Sequence, residues 1–187
     1  MPYMQQSNSE EIIKSFEGLV EHAWQGKGRQ EKTFFTSQHG QKPLGSRLFE
    51  AIARLSVNVA FEAVCLRYNK KDKAVEVFLL KRGPHESFPG KWHIPGAVFR
   101  PGEQPKDAAS RLGAREFGTI ITSDFKCHGT IFIAEARGWF LSLVYLVKCK
   151  GAPNPQGRWW NVKNLPKNTI PHHVKSVIPA AVKAFKK

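Results

Sequence analysis

A chain of 187 residues with 41% hydrophobic content and a net charge of +14 is long enough for one domain plus an extension and apolar enough to bury a core. It has no run of 18 apolar residues, and Met1-Pro2-Tyr3 leads into polar residues rather than a basic and apolar leader. A spanning helix and a secretory signal are therefore not expected, which predicts a cytoplasmic protein with no membrane partner.

The charge is uneven. Every Asp and Glu lies at or before Glu135, so residues 136–187 carry +10 and the rest +4. A polyanion is the natural partner for such a tail, but its lysines are spread out rather than clustered, which is also the pattern of a solvated basic face. Weak nucleic-acid binding through the C-terminal region is the corresponding expectation. Cys65, Cys127 and Cys149 are odd in number, widely spaced and set in strand-like runs. They read as buried small hydrophobes, without zinc spacing or a disulfide framework.

Residues 1–55 read as an N-terminal helical extension and 56–187 as the main domain. Ser7-Asn8-Ser9-Glu10 fits a capping box, and Ile12, Phe16, Leu19, Val20 and Ala23 recur at helical spacing. A Gly- and Gln-rich connection leads to Leu44, Leu48, Ala51, Ile52 and Leu55, a second apolar stripe. These helices are expected to pack on the core or to form a homodimer contact. From Ser56 the period shifts: Val57, Val59, Phe61 and Ala63 alternate, and 74–82 returns antiparallel after the polar turn at 69–73. Residues 84–96, punctuated by Pro89-Gly90 and Pro95-Gly96, read as a shaped loop.

Pro105 suits a first helical turn and Gly118 a helix end, so 105–117 is a short helix with Ala108, Ala109 and Leu112 inward. Glu103 sits just before it, where the helix dipole alone would favour a carboxylate. Residues 126–134 and 139–149 form a hairpin, 158–162 a further strand, and 174–185 a terminal helix. Strands, helix, strands, helix is an α+β order.

The chemistry concentrates in Trp92-His93-Ile94-Pro95-Gly96-Ala97-Val98-Phe99-Arg100-Pro101-Gly102-Glu103, followed by Arg111, Glu116 and Gly118. A shaped loop, a carboxylate and a helix bearing a second carboxylate form a unit able to hold a hard divalent cation against a diphosphate. This stretch resembles the Nudix hydrolases, whose box reads G-x5-E-x7-R-E-U-x-E-E-x-G-U, U being bulky and aliphatic. Aligned on Glu103 and Arg111, the fixed positions fall on Ala97, Glu103, Arg111, Leu112, Gly113, Arg115, Glu116, Gly118 and Thr119, of which only Glu103, Arg111, Glu116 and Gly118 agree. Trp-x-x-Pro-Gly before the box, Pro-Gly-Glu inside it, and Trp159-Trp160 through Leu165-Pro166 add to the likeness.

The resemblance implies a Nudix-type α/β/α sandwich with a mixed sheet. It also implies a Mg2+-dependent hydrolase, with Mn2+ as a substitute, acting on a nucleoside diphosphate linked to another moiety, such as an ADP-ribose-like compound or a nucleotide sugar. Glu116, the carbonyl of Ala97 and Glu103 would hold the metal, and Arg111 would brace Glu103. Arg111-Leu112-x-x-x-Glu116-x-Gly118 is similar to the variant box of the GDP-mannose mannosyl hydrolase branch. That branch, however, uses a His before its last core strand, and residues 153–158 contain none.

The acids missing at Leu112 and Arg115 support a second reading, a degenerate Nudix protein that binds nucleotide or RNA without turnover. Residues 112 and 116 share a helical face, so Leu112 faces either the cleft or the core. Glu103, Glu135, His93 and Glu86, in that order, are the candidate bases. Arg137, Trp92 and Arg82 are the candidate substrate contacts, by phosphate pairing or base stacking.

Overall fold

The computed structural model describes residues 11, 14–16, 53–84, 86–100, 102–135 and 137–186. The chain divides into two compact units, Met1–Gln41 and Lys42–Lys187. In the first, residues 11 and 14–16 are helical, and in the second so are 53–55. The remainder of the helices expected over 7–55, and with it the extension as a whole, lies outside the described residues.

The second unit is built around β1 (Val57–Asn69). Its run from Ala60 to Leu66 is buried, with Phe61, Ala63 and Cys65 in one core cluster and Val64 and Leu66 in another. Period-two alternation with apolar residues at both phases is what a central strand covered on both faces requires. At its end the Asn69 side-chain oxygen accepts the Lys71 and Asp72 N–H groups at 3.0 and 3.3 Å, and Lys73 takes φ +47°. The chain thereby reverses into β2 (Ala74–Lys81), antiparallel, with Val77 opposite Leu66.

Two short strands follow, β3 (Trp92–His93) on β2 and β4 (Gly96–Val98) on β1. Helix α1 (Pro105–Leu112) starts with Pro105, and the Gln104 N–H is capped by Asp107 Oδ2 at 2.9 Å. It continues into a π-turn over Gly113–Phe117, and Gly118 ends it at φ +64°, the left-handed geometry that glycine adopts without strain. The π-turn lets two residues five apart share one face. Leu112 and Phe117 are 2% and 0% exposed in the same cluster.

After β5 (Ile121–Thr122), β6 (Cys127–Glu135) and β7 (Gly138–Cys149) form the hairpin. β7 runs parallel to β1, with Leu143 opposite Phe61, and β8 (Arg158–Asn161) pairs with β2. A second π-turn (His173–Val177) leads into α2 (Ile178–Phe185). The spine of the mixed sheet is β3-β2-β1-β7-β5, with β4, β6 and β8 pairing on β1, β7 and β2 respectively.

Leu112 and Phe117 pack with Phe61, Phe78 and Tyr145 on one face, and Val177 and Ile178 with Val64, Leu79 and Val144 on the other. This is an α/β/α sandwich, as expected. Two readings change. Residues 84–96 are not all loop, because Trp92 and His93 pair with Lys81 and Leu80. Cys127, expected in the core, is exposed at a register shift in β6.

Candidate functional site

The loop between β4 and α1 is closed by a buried ion pair. Arg111 Nε donates to Glu103 Oε1 at 2.9 Å and Nη2 to Oε2 at 2.7 Å, while the Arg100 N–H donates to Oε2 at 2.9 Å. Arg111 also reaches the Val98 carbonyl at 3.1 Å. Both oxygens of Glu103 thus accept hydrogen bonds, and the pair ties the loop to α1.

Glu116, carried on the π-turn, is placed differently. Its Oε2 is buried and has no hydrogen-bond partner. Burial pushes its pKa from 4.5 to about 7; the Arg82 charge and the Gly96 N–H pull it down, and Glu86 pushes it up. Gly96 faces this carboxylate because of strand register. Phe61 opposes Ala97, and the flanking bonds Ala63 N to Pro95 O and Phe99 N to Val59 O are both 2.9 Å. Bonded pairs alternate along an antiparallel ladder, so Ala97 exchanges both of its backbone bonds with Phe61, while the N–H and C=O of Gly96 point away from β1. The outward carbonyl is therefore that of Gly96, whereas the Ala97 carbonyl, expected to hold a metal, is bonded to Phe61.

On the α2 face of β1 lies a second buried acid, Glu62. It accepts Ser142 Oγ–H at 2.8 Å, and His173 Nε2 stands 3.7 Å from its Oε2. Burial raises its pKa to about 7 against the pull of Ser142, Arg82 and Arg137. The Ile94 N–H donates to His173 Nδ1 at 3.0 Å, which leaves the neutral ring's proton on Nε2, toward Glu62. A Cβ on Gly96 would lie 2.9 Å from Glu62 Oε2 and 3.0 Å from the Phe61 carbonyl, so this position admits glycine alone without displacement. Glu62 was absent from the sequence reading. Its signal was there: it is the only charged residue in the apolar run 57–66.

Arg82 links the two acids through its charge. Arg82 acts on both Glu62 and Glu116, and Arg137 on Glu62. Arg137 pairs with Glu135 and stacks its guanidinium 5.3 Å over Phe88 and 5.0 Å over Phe140. Arg82 Nε, Arg137 Nε and Glu135 Oε2 are buried without a partner. Glu86 accepts the Gly83 N–H at 2.7 Å and is half-exposed.

Trp92 is partly buried and packs edge-on against Trp160 at 5.4 Å beside the α2-side core. His93 is 3% exposed, its Nδ1 contacts the Ile94 carbonyl at 2.8 Å, and burial together with the Arg82 and Arg137 charges lowers its pKa to about 3. Leu112 faces the core.

Among the described residues no group of three His, Cys, Asp or Glu could hold a metal ion. The unpartnered Glu116 oxygen, the outward Gly96 carbonyl and the nearby Glu86 nevertheless fit a Mg2+ that keeps most of its shell for water and phosphate.

A NUDIX domain profile matches residues 60–180. The chain belongs to the Nudix hydrolase family. Among solved structures of similar fold is the Caenorhabditis elegans Ap4A hydrolase, 22% identical over 71% of this chain and 100% of that one, with a TM-score of 0.56. The NUDIX domain of Shewanella oneidensis NrtR, crystallised with ADP ribose, is 19% identical over 70% and 89%, at 0.53. A MutT/nudix family protein of Enterococcus faecalis is 20% identical over 80% and 76%, also at 0.53. A sequence search of curated proteins returns no match. No helix among the described residues is long and apolar enough to cross a membrane.

Proposed function

We propose that this Nudix protein hydrolyses a nucleoside diphosphate linked to another moiety, with a divalent cation bound at Glu116. The observation that carries this reading is the buried, unpartnered Glu116 oxygen beside the outward backbone of Gly96. An unsatisfied buried carboxylate is costly, and a ligand that completes it removes that cost.

Glu116 and the Gly96 carbonyl would hold Mg2+ or Mn2+, which supplies charge neutralisation on the diphosphate and polarises the phosphorus. Arg82, whose charge acts on both acids, would contact a phosphate oxygen through its guanidinium. Arg137 is held flat by Phe88 and Phe140 and presents a preorganised edge to the substrate. With Glu103 committed to Arg111 and His93 buried, Glu86 is the acid close enough to Glu116 to affect its charge and exposed enough to take a proton from water.

The test is a hydrolysis screen with Mg2+ and Mn2+ across ADP-ribose-like compounds, nucleotide sugars and dinucleoside polyphosphates. Cation-dependent turnover of one class, lost in Glu116→Gln and reduced at least about tenfold in Glu86→Gln, is expected. Leu112, buried where the family box has a glutamate, favours a second reading, in which nucleotide is bound without turnover. Saturable binding with no turnover of any class would select it.

A further inference from the structure

β1 and β7 bring two of the three cysteines together. Cys65 is 3% exposed, Cys149 is half-buried, and their sulfurs are 3.8 Å apart. Cys65 lies opposite Val147, so Cys149 is displaced diagonally by two residues on the same side of the sheet, where both thiols touch the cluster containing Leu112 and Phe117. We propose that Cys149 and Cys65 form an oxidative modification site, a peroxide-reactive thiol and its resolving partner, that closes to a disulfide between the two parallel strands.

Exposure within the pair assigns the roles. Either thiol can donate to the other across the 3.8 Å contact, but Cys65 is 3% exposed and Cys149 only half-buried. Cys149 is thus the sulfur that an oxidant in solution reaches first. The Cys149 thiolate attacks one peroxide oxygen, the O–O bond breaks, and hydroxide leaves and takes up a proton to give water. Cys149 is now a sulfenic acid. The Cys65 sulfur then attacks the Cys149 sulfur, the S–O bond breaks, and hydroxide departs with the Cys65 proton as a second water. Two thiols lose two electrons and one peroxide is reduced, so the sequence balances. Closure needs the sulfurs to approach from 3.8 Å to about 2.0 Å.

The test uses the full chain carrying Cys127→Ser, since Cys127 is exposed and would compete for oxidant. Hydrogen peroxide in small excess, alkylation without reductant and peptide mapping should give one cross-linked species joining the Cys65 and Cys149 peptides. Both alkylatable thiols should be lost and then regained with dithiothreitol. In a Cys65→Ser background, dimedone should label Cys149. Two thiols that stay fully alkylatable under peroxide that oxidises Cys127 in the parent chain would overturn the proposal, as would a Cys149 sulfenic acid that never cross-links.

Discussion

Glu116 has a pKa of about 7, so near neutral pH its carboxylate is divided between a proton and any cation offered to it. Cation affinity should rise about tenfold per pH unit below 7 and level off above it, as titration calorimetry at pH 6, 7 and 8 would show; Glu116→Gln should abolish it. The same shift acts on stability. An acid whose folded pKa lies above its unfolded value stabilises the fold below the unfolded value, and that contribution disappears as pH rises through the folded one. For Glu62 and Glu116 the window is about 4.5 to 7. Glu116→Gln should therefore gain on the order of 2 kcal/mol relative to the parent between pH 5 and pH 8 in urea unfolding, even as the site is lost. Leu112→Glu would place an unpaired charge against Phe61 and Phe117. It should cost at least about 3 kcal/mol without strengthening cation binding. Glu116 could be found from the sequence because the box places it there. Glu62 was hidden because a lone acid in a central strand gains meaning only when the register sets it beside Gly96 and Ser142.

The loop from β4 to α1 depends on the Glu103–Arg111 pair, with side chains 1% and 8% exposed. Arg111→Met leaves a buried carboxylate without its counter-charge and should cost about 3 to 5 kcal/mol. Glu103→Gln keeps the shape and part of the hydrogen bonding, so cation affinity measured on folded protein should fall by no more than about threefold; a loss as complete as in Glu116→Gln would restore Glu103 as a ligand. The long elements were legible because β1, β2, β7 and the terminal helix each carry enough residues for a period to register. Trp92–His93, Gly96–Val98 and Ile121–Thr122 are two or three residues long and exist only through their partners in β2, β1 and β7. Which carbonyl of β4 points outward could not be read for that reason, since it depends on the pairing of β4 with Phe61. Gly138 shows the opposite: the hairpin was expected, but only the fold reveals that a Cβ there would meet the Ala53 carbonyl at 2.1 Å.

At the scale of the molecule, Arg82 acts on both Glu62 and Glu116 and Arg137 on Glu62, whereas the surplus positive charge is spread over residues 136–187. Lys163, Lys167 and Lys175 are exposed. Replacing all three with Gln should leave hydrolysis within about twofold while weakening RNA binding and flattening its salt dependence, because exposed lysines act on a polyanion through counterion release. The α/β/α sandwich could be anticipated from a box with only four of its nine fixed positions matched, because loop glycines and helix ends constrain the chain as strongly as the acids do. Which carboxylate oxygens are already paired within the fold could not be anticipated, since that depends on register and packing. The most direct test of the central claim compares initial rates of the parent and Glu116→Gln on the substrate panel with Mg2+ or Mn2+, with folding of both confirmed by circular dichroism. The predicted result is cation-dependent release of a nucleoside monophosphate from at least one nucleoside diphosphate derivative, reduced about 100-fold or more by the substitution. Equal rates in the two proteins, or no turnover of any substrate by the parent, would contradict it.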